Sequence, residues 1–122
     1  SNDSIYTFST NDGENLRNTF LELRKDFFKG EIYKKKGYRG KSSNDIIKEG
    51  EEFYKIGSDV CLLEYSGMWD NHNTFNDIVN DEECFLNRVV ITIPTNSELE
   101  KKIREFTNKS LKKREHLAEE IA

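Results

Sequence analysis

The chain has 122 residues and a net charge of −4, with 19 Lys and Arg set against 23 Asp and Glu along its whole length. That balance leaves no basic field for a phosphate backbone, so nucleic acid is a poor partner. Hydrophobic and charged residues each make up 34%, which is polar for a globular protein, but one Trp, five Tyr, eight Phe and clear apolar runs exclude general disorder.

The length suits one domain, taken as 3–122, with Ser1-Asn2 set aside as the remnant of a cleaved tag. No apolar run approaches the roughly 20 residues of a membrane span and no signal peptide is visible. A cytoplasmic location without a membrane partner is therefore expected. Cys61 and Cys84 lack the density of a disulfide scaffold and read as reduced packing residues.

In chain order, a strand over about 4–9 runs into Ser9-Thr10-Asn11-Asp12-Gly13, which opens a helix carrying Leu16, Phe20, Leu23 and Phe27 at helical spacing to about Gly30. Glu31-Ile32-Tyr33 suits a short edge strand, and the lysines and Gly37-Tyr38-Arg39-Gly40 after it suit an exposed loop. Ser42 or Ser43 then caps an expected second helix with Ile46, Ile47, Gly50, Phe53 and Tyr54 on its buried side, ending at Gly57. Asp59 to Tyr65 follows as the expected central strand, its Val60-Cys61-Leu62-Leu63 run suggesting cover on both faces.

Thr74 caps an expected third helix with Phe75, Ile78 and Val79 inward, and Arg88 to Ile93 makes another buried strand closed by Pro94. The last segment, 97–122, spaces Leu99, Ile103, Phe106, Leu111, Leu117 and Ile121 as one long helix. A helix of about 24 residues spans roughly 36 Å, so its end is expected to project, as a charge-paired solvated helix or a self-association element. This alternation implies an α/β three-layer sandwich with a mainly parallel sheet of four or five strands. In that arrangement the polar exits after Phe8, Tyr65 and Ile93 gather on one edge, where open α/β folds put ligands.

The stretch Tyr6 to Phe20, with Ser9-Thr10-Asn11-Asp12-Gly13-Glu14 at its centre, resembles the opening of a Toll/interleukin-receptor (TIR) domain. Gly30 to Tyr33 is similar to that family's second strand. Ile47 to Ser66 resembles its passage of helix, Ser-Asp, apolar strand and Ser, with Ser58-Asp59 and Ser66 in the matching places. The resemblance covers roughly residues 4–95. It implies either an assembly module in bacterial defence or signalling, or a domain that binds NAD and cleaves its nicotinamide glycosidic bond with a glutamate about four residues past an aromatic. Here Phe75 is followed at that distance by Val79 and Trp69 by Asn73, so the glutamate is missing from its matching position and Asp77 is the nearest catalytic candidate. A carboxylate matters there because it holds the ribose or stabilises the oxocarbenium-like centre.

Beside it, Ser9, Thr10 and Asn11 either cap the first helix or bind a ribose or phosphate at its N-terminus, with Ser66 at the same rim. Trp69 either stacks on a base or closes the core, and His72 either serves as a general acid or sits in a polar turn. Glu64 is expected to leave the sheet end or pair with Arg88, and His116 has no second ligand at zinc spacing. Two functions stand open: a TIR-like domain that binds an NAD-like nucleotide or assembles with like domains, and a small acidic immunity or inhibitor protein that neutralises a toxin by protein–protein binding.

Overall fold

The computed structural model describes residues 2–9, 14–28, 31–36, 47–70 and 80–108. Its strands are β1 (Asp3–Ser9), β2 (Glu31–Lys36), β3 (Lys48–Ile56), β4 (Asp59–Met68) and β5 (Phe85–Pro94). Its helices are α1 (Arg17–Asp26) and α2, over 98–108. The strands form one sheet in the order β1-β5-β4-β3-β2, and every neighbouring pair is antiparallel. The mainly parallel three-layer sandwich is thereby overturned: this is a two-layer arrangement of an antiparallel sheet, a β2–β5 meander with β1 added beside β5, with both described helices on one side.

The largest departure lies at β3. The expected helix ending at Gly57 is a strand over 48–56, joined to β4 by the two-residue turn Gly57-Ser58 between the paired residues Ile56 and Asp59. Gly57 takes φ +64, and glycine at the first central position of a tight hairpin supplies that left-handed turn without steric cost. β3 carries a period of two: Gly50, Glu52 and Tyr54 are buried while Glu49 and Lys55 are exposed. The charge of Glu52 at an inward position hides that alternation from a hydropathy reading.

β4 is the central strand, as expected, but among the described residues it is covered on one face only. Cys61, Leu63 and Tyr65 are buried, whereas Leu62, Glu64 and Ser66 are partly exposed and Val60 is exposed. Both cysteines are buried and unbridged, and burial, reinforced by Asp59 at Cys61 and Asp81 at Cys84, pushes each thiol up to about 11. The expected long helix over 97–122 is described as helical only over 98–108. The remainder, like the helix expected at Thr74 and the residues Thr10, Asn11, His72, Asp77 and His116, lies outside the described residues.

The core fills the space between the sheet and the two helices. Phe20, Leu23 and Phe28 come from the α1 region, Leu99 and Ile103 from α2, and Leu63, Leu86, Val89, Ile91 and Ile93 from the central strands. The Phe20 ring lies 4.5 Å from Tyr65 and Phe28 lies 5.1 Å from Tyr54. Phe106 links the layers, 6.0 Å from Phe8 and 5.6 Å from Phe27.

Asn15 fastens the start of α1 to the sheet. Its Oδ1 accepts from the amides of Arg17 and Leu86, each at 2.9 Å, and its Nδ2 donates to the Cys84 carbonyl at 2.9 Å. α2 begins with the pattern Ser97-x-x-Glu100, in which the Glu100 amide donates to Ser97 Oγ at 3.1 Å.

Candidate functional site

Antiparallel sheets commonly pack one face and leave the other to solvent, and here the division is sharp. The helices cover the face that carries Glu52, Tyr54, Leu63, Tyr65 and Ile91. The opposite face has no described element on it. Register places its side chains in rows across the sheet: Ile5, Thr92, Leu62 and Phe53 in one, Thr7, Val90, Glu64 and Glu51 in the next, and Ser9, Arg88, Ser66 and Glu49 in a third.

The exposed large hydrophobic residues identify this face as unusual. Ile5 is 67% exposed, Val60 50% and Met68 43%, and Ile47, at 58%, immediately precedes the strand residues of the same parity. All four fall on the open side by strand alternation, Ile5 and Val60 towards the end that holds the partly exposed Phe53 and Leu62, and Ile47 and Met68 towards the other. Scattered single apolar residues are ordinary on a protein surface, whereas their collection on one side is a mark of an interaction site.

Between these two apolar ends lies a shallow depression of about 110 Å³ lined by Glu49, Glu51, Glu64, Ser66, Arg88 and Val90. Loss of hydration raises the Glu64 carboxyl above its ordinary range; Glu51 and Glu49 add to the rise and Arg88 opposes it. Glu64 stays within the sheet beside Val90, one row from Arg88, rather than leaving the sheet end. Ser66 Oγ donates to Asn87 Oδ1 at 3.3 Å, at the point where the β4–β5 register shifts by one residue.

A second polar cluster is buried under α1. Arg24 Nε lies 3.1 Å from Glu52 Oε2 and donates to the Tyr54 hydroxyl at 3.2 Å, while that hydroxyl donates to the same Glu52 oxygen. The Arg24 guanidinium also sits 5.7 Å from the centre of the Phe20 ring. Burial pushes the Tyr54 hydroxyl strongly upward, aided by the Glu52 charge. Burial opposes the Arg24 charge, but Glu52 and Tyr54 outweigh it and the guanidinium is held firmly protonated. The cluster joins helix to sheet and lines no described depression.

The residues expected at a common rim are partly separated. Ser9 and Ser66 both pair with Arg88, from β1 and β4, so the structure does bring those two to one end of the sheet. The third expected exit, after β5, lies at the opposite end, where Pro94 pairs with Asp3. Trp69 lies on the covered side, 6% exposed, with its ring 5.6 Å from Tyr65 and its carbonyl accepting from Lys48 Nζ at 2.7 Å. It closes the core, and the stacking role is withdrawn. Thr10, Asn11 and Asp77 are outside the described residues.

Glu49, Glu51, Phe53, Arg88 and Val90 were not among the expected site residues. The one signal for them in the sequence was Gly57-Ser58, a two-residue hairpin pattern, since Gly50 and Glu52 at inward positions leave 47–55 without a visible alternation. No protein-family model, curated protein or solved structure matches the chain. Among the described residues, no helix is long and apolar enough to cross a membrane.

Proposed function

We propose that the chain is a small acidic protein-binding domain whose sheet face opposite the two described helices docks a basic protein partner, the task a toxin-neutralising immunity protein or inhibitor performs. The observation that carries this reading is the collection of Ile5, Ile47, Val60 and Met68 on that one side, beside Glu49, Glu51 and Glu64. Such a surface sets carboxylates between apolar residues, and a lysine or arginine of the partner would offset the Glu51 and Glu49 charges that add to the loss of hydration raising Glu64. The net charge of −4 acts in the same direction by steering a basic partner toward the chain.

A dinucleotide fits this face less well. Small-molecule sites commonly enclose about 300–1,000 Å³. The depression here is about 110 Å³, and its three carboxylates would meet a pyrophosphate with like charge. A flat protein contact needs no such enclosure.

Site-specific photo-crosslinking tests the reading in the cells that make the protein. A crosslinking amino acid at Leu62 or Phe53 should trap one and the same basic protein, and the same probe at the exposed helix residue Glu105 should not. The purified partner should then bind the wild-type chain and lose at least about tenfold in affinity with Leu62→Asp, the scale of one disrupted hot-spot contact. Crosslinks arising equally from Glu105, or nicotinamide release from NAD abolished by Asp77→Ala, would displace this reading.

A further inference from the structure

The two edges of the sheet are built differently. β2, at one edge, contains Lys34, Lys35 and Lys36, and its pairing with β3 is broken by a register shift between Ile32 and Lys34. Lysines and bulges are the devices by which natural sheets block pairing between edges. β1, at the other edge, has neither. Its seven residues pair with β5 in unbroken register from Asp3↔Pro94 to Ser9↔Arg88, and it contains no Lys, no Arg and no Pro.

β1 is also held ready. The Thr95 amide donates to the Asn2 carbonyl at 2.8 Å, Ser4 Oγ shares a hydrogen bond with Thr95 Oγ1 at 2.7 Å, and Arg104 Nε donates to the Tyr6 hydroxyl at 3.4 Å. These contacts fix the strand against β5 and α2, so little backbone freedom remains to be lost when another strand pairs with it. Among the described residues its second backbone edge has no neighbouring strand.

We propose that β1 is a self-pairing edge through which two copies of the chain join antiparallel, β1 to β1, into one ten-stranded sheet. A two-fold axis near Tyr6 sets each strand on its own complement, so one patch serves both copies and the assembly closes at two. The charge pattern selects the antiparallel sense. Asp3 is the only charged residue of β1 and stands at its end, so an antiparallel partner places it beside Ser9 rather than beside a second Asp3. Pairing would run for about 23 Å, seven residues at roughly 3.3 Å each. It would also make the two open faces continuous, with the exposed Ile5 of each copy at the seam. This inference stands independently of the protein-binding proposal, because its test uses the chain alone.

Light scattering on the full chain across a concentration series reads the outcome. The wild type should approach twice the 14.3 kDa chain mass as concentration rises. Thr7→Lys, which gives β1 the kind of charge β2 carries, should hold the mass at that of one chain with an unchanged circular-dichroism spectrum. Val60→Lys, on the open face but away from the edge, should leave the dimer intact. If Thr7→Lys fails to fold, amide exchange of the wild type decides instead, with the β1 amides slowed at high concentration relative to dilute protein. A wild type of single-chain mass at every concentration overturns the proposal. So does a dimer lost with Val60→Lys but kept with Thr7→Lys, which would mean face-to-face packing. Continued growth beyond two copies would mean head-to-tail pairing of β1 with β2, and also overturns it.

Discussion

Glu52 is the residue on which the architecture of the covered face turns. Its carboxylate is fully buried, takes its partners from Arg24 on α1 and Tyr54 on the same strand, and leaves Oε1 without a hydrogen bond among the described residues. Removing one member of a buried ion pair strands the other, at a cost of about 3–5 kcal/mol, whereas replacing both with apolar side chains is often neutral. Arg24→Met should therefore lower the denaturation midpoint sharply in urea, and Arg24→Met with Glu52→Met should recover most of the loss. Additive losses in the double variant would show that the pair is not coupled. Gly50 makes a steric prediction on the neighbouring strand. A Cβ there would lie inside contact distance of the Tyr65 ring, which is wedged against Phe20 and Trp69. Gly50→Ala should cost about 1–3 kcal/mol, the usual range for overpacking a filled core, as read from a thermal melt.

Among the elements, β1, α1, β4 and β5 were legible in the sequence because their apolar residues follow one clear period or one dense run. The Phe20 and Leu23 spacing of α1 and the Leu99, Ile103 and Phe106 spacing of α2 both match the faces they bury. β3 was not legible as a strand. Ile47, Phe53 and Tyr54 can be fitted to a helical stripe, and only the burial of Gly50 and Glu52 reveals the period of two. Fitted to a helix, this segment makes Gly57-Ser58 a helix stop instead of a hairpin, and the alternation of helix and strand then demands parallel neighbours. The open-face residues disappeared with that step, since a sheet covered on both sides has no such face.

α2 makes the pH prediction at this scale. Burial would raise the Glu100 carboxyl, but hydrogen bonds from Arg104 and Tyr6 and the charge of Arg104 hold it below the ordinary value of 4.5. A carboxyl lowered in the folded state contributes stability that is present above its unfolded value and is lost as pH falls through its folded one. Compared with Glu100→Gln, the wild type should therefore show its higher melting temperature at neutral pH, and the gap should close as pH drops below 4.5. A gap that persists unchanged into acid would assign the effect to packing rather than to charge.

For the whole molecule, the decisive feature is asymmetry. Both described helices and the aromatic core lie on one side of the sheet, and the other side holds apolar residues beside three carboxylates and Arg88. That asymmetry fits the topology: β2 to β5 follow one another as antiparallel neighbours, and α1 lies in the single connection that carries the chain from β1 at one edge to β2 at the other. Two of the three exits expected on a common rim do share one end, the end at which Ser9 and Ser66 flank Arg88. The open face is thus the surface from which a function of this chain is best argued. An amide-resolved NMR titration with the basic partner trapped at Leu62 tests this most directly. The account predicts shifts centred on Phe53, Leu62, Glu64, Arg88 and Val90, with α1 and the exposed side of α2 unperturbed. Shifts centred on the helices, with the β3–β5 face silent, would contradict it.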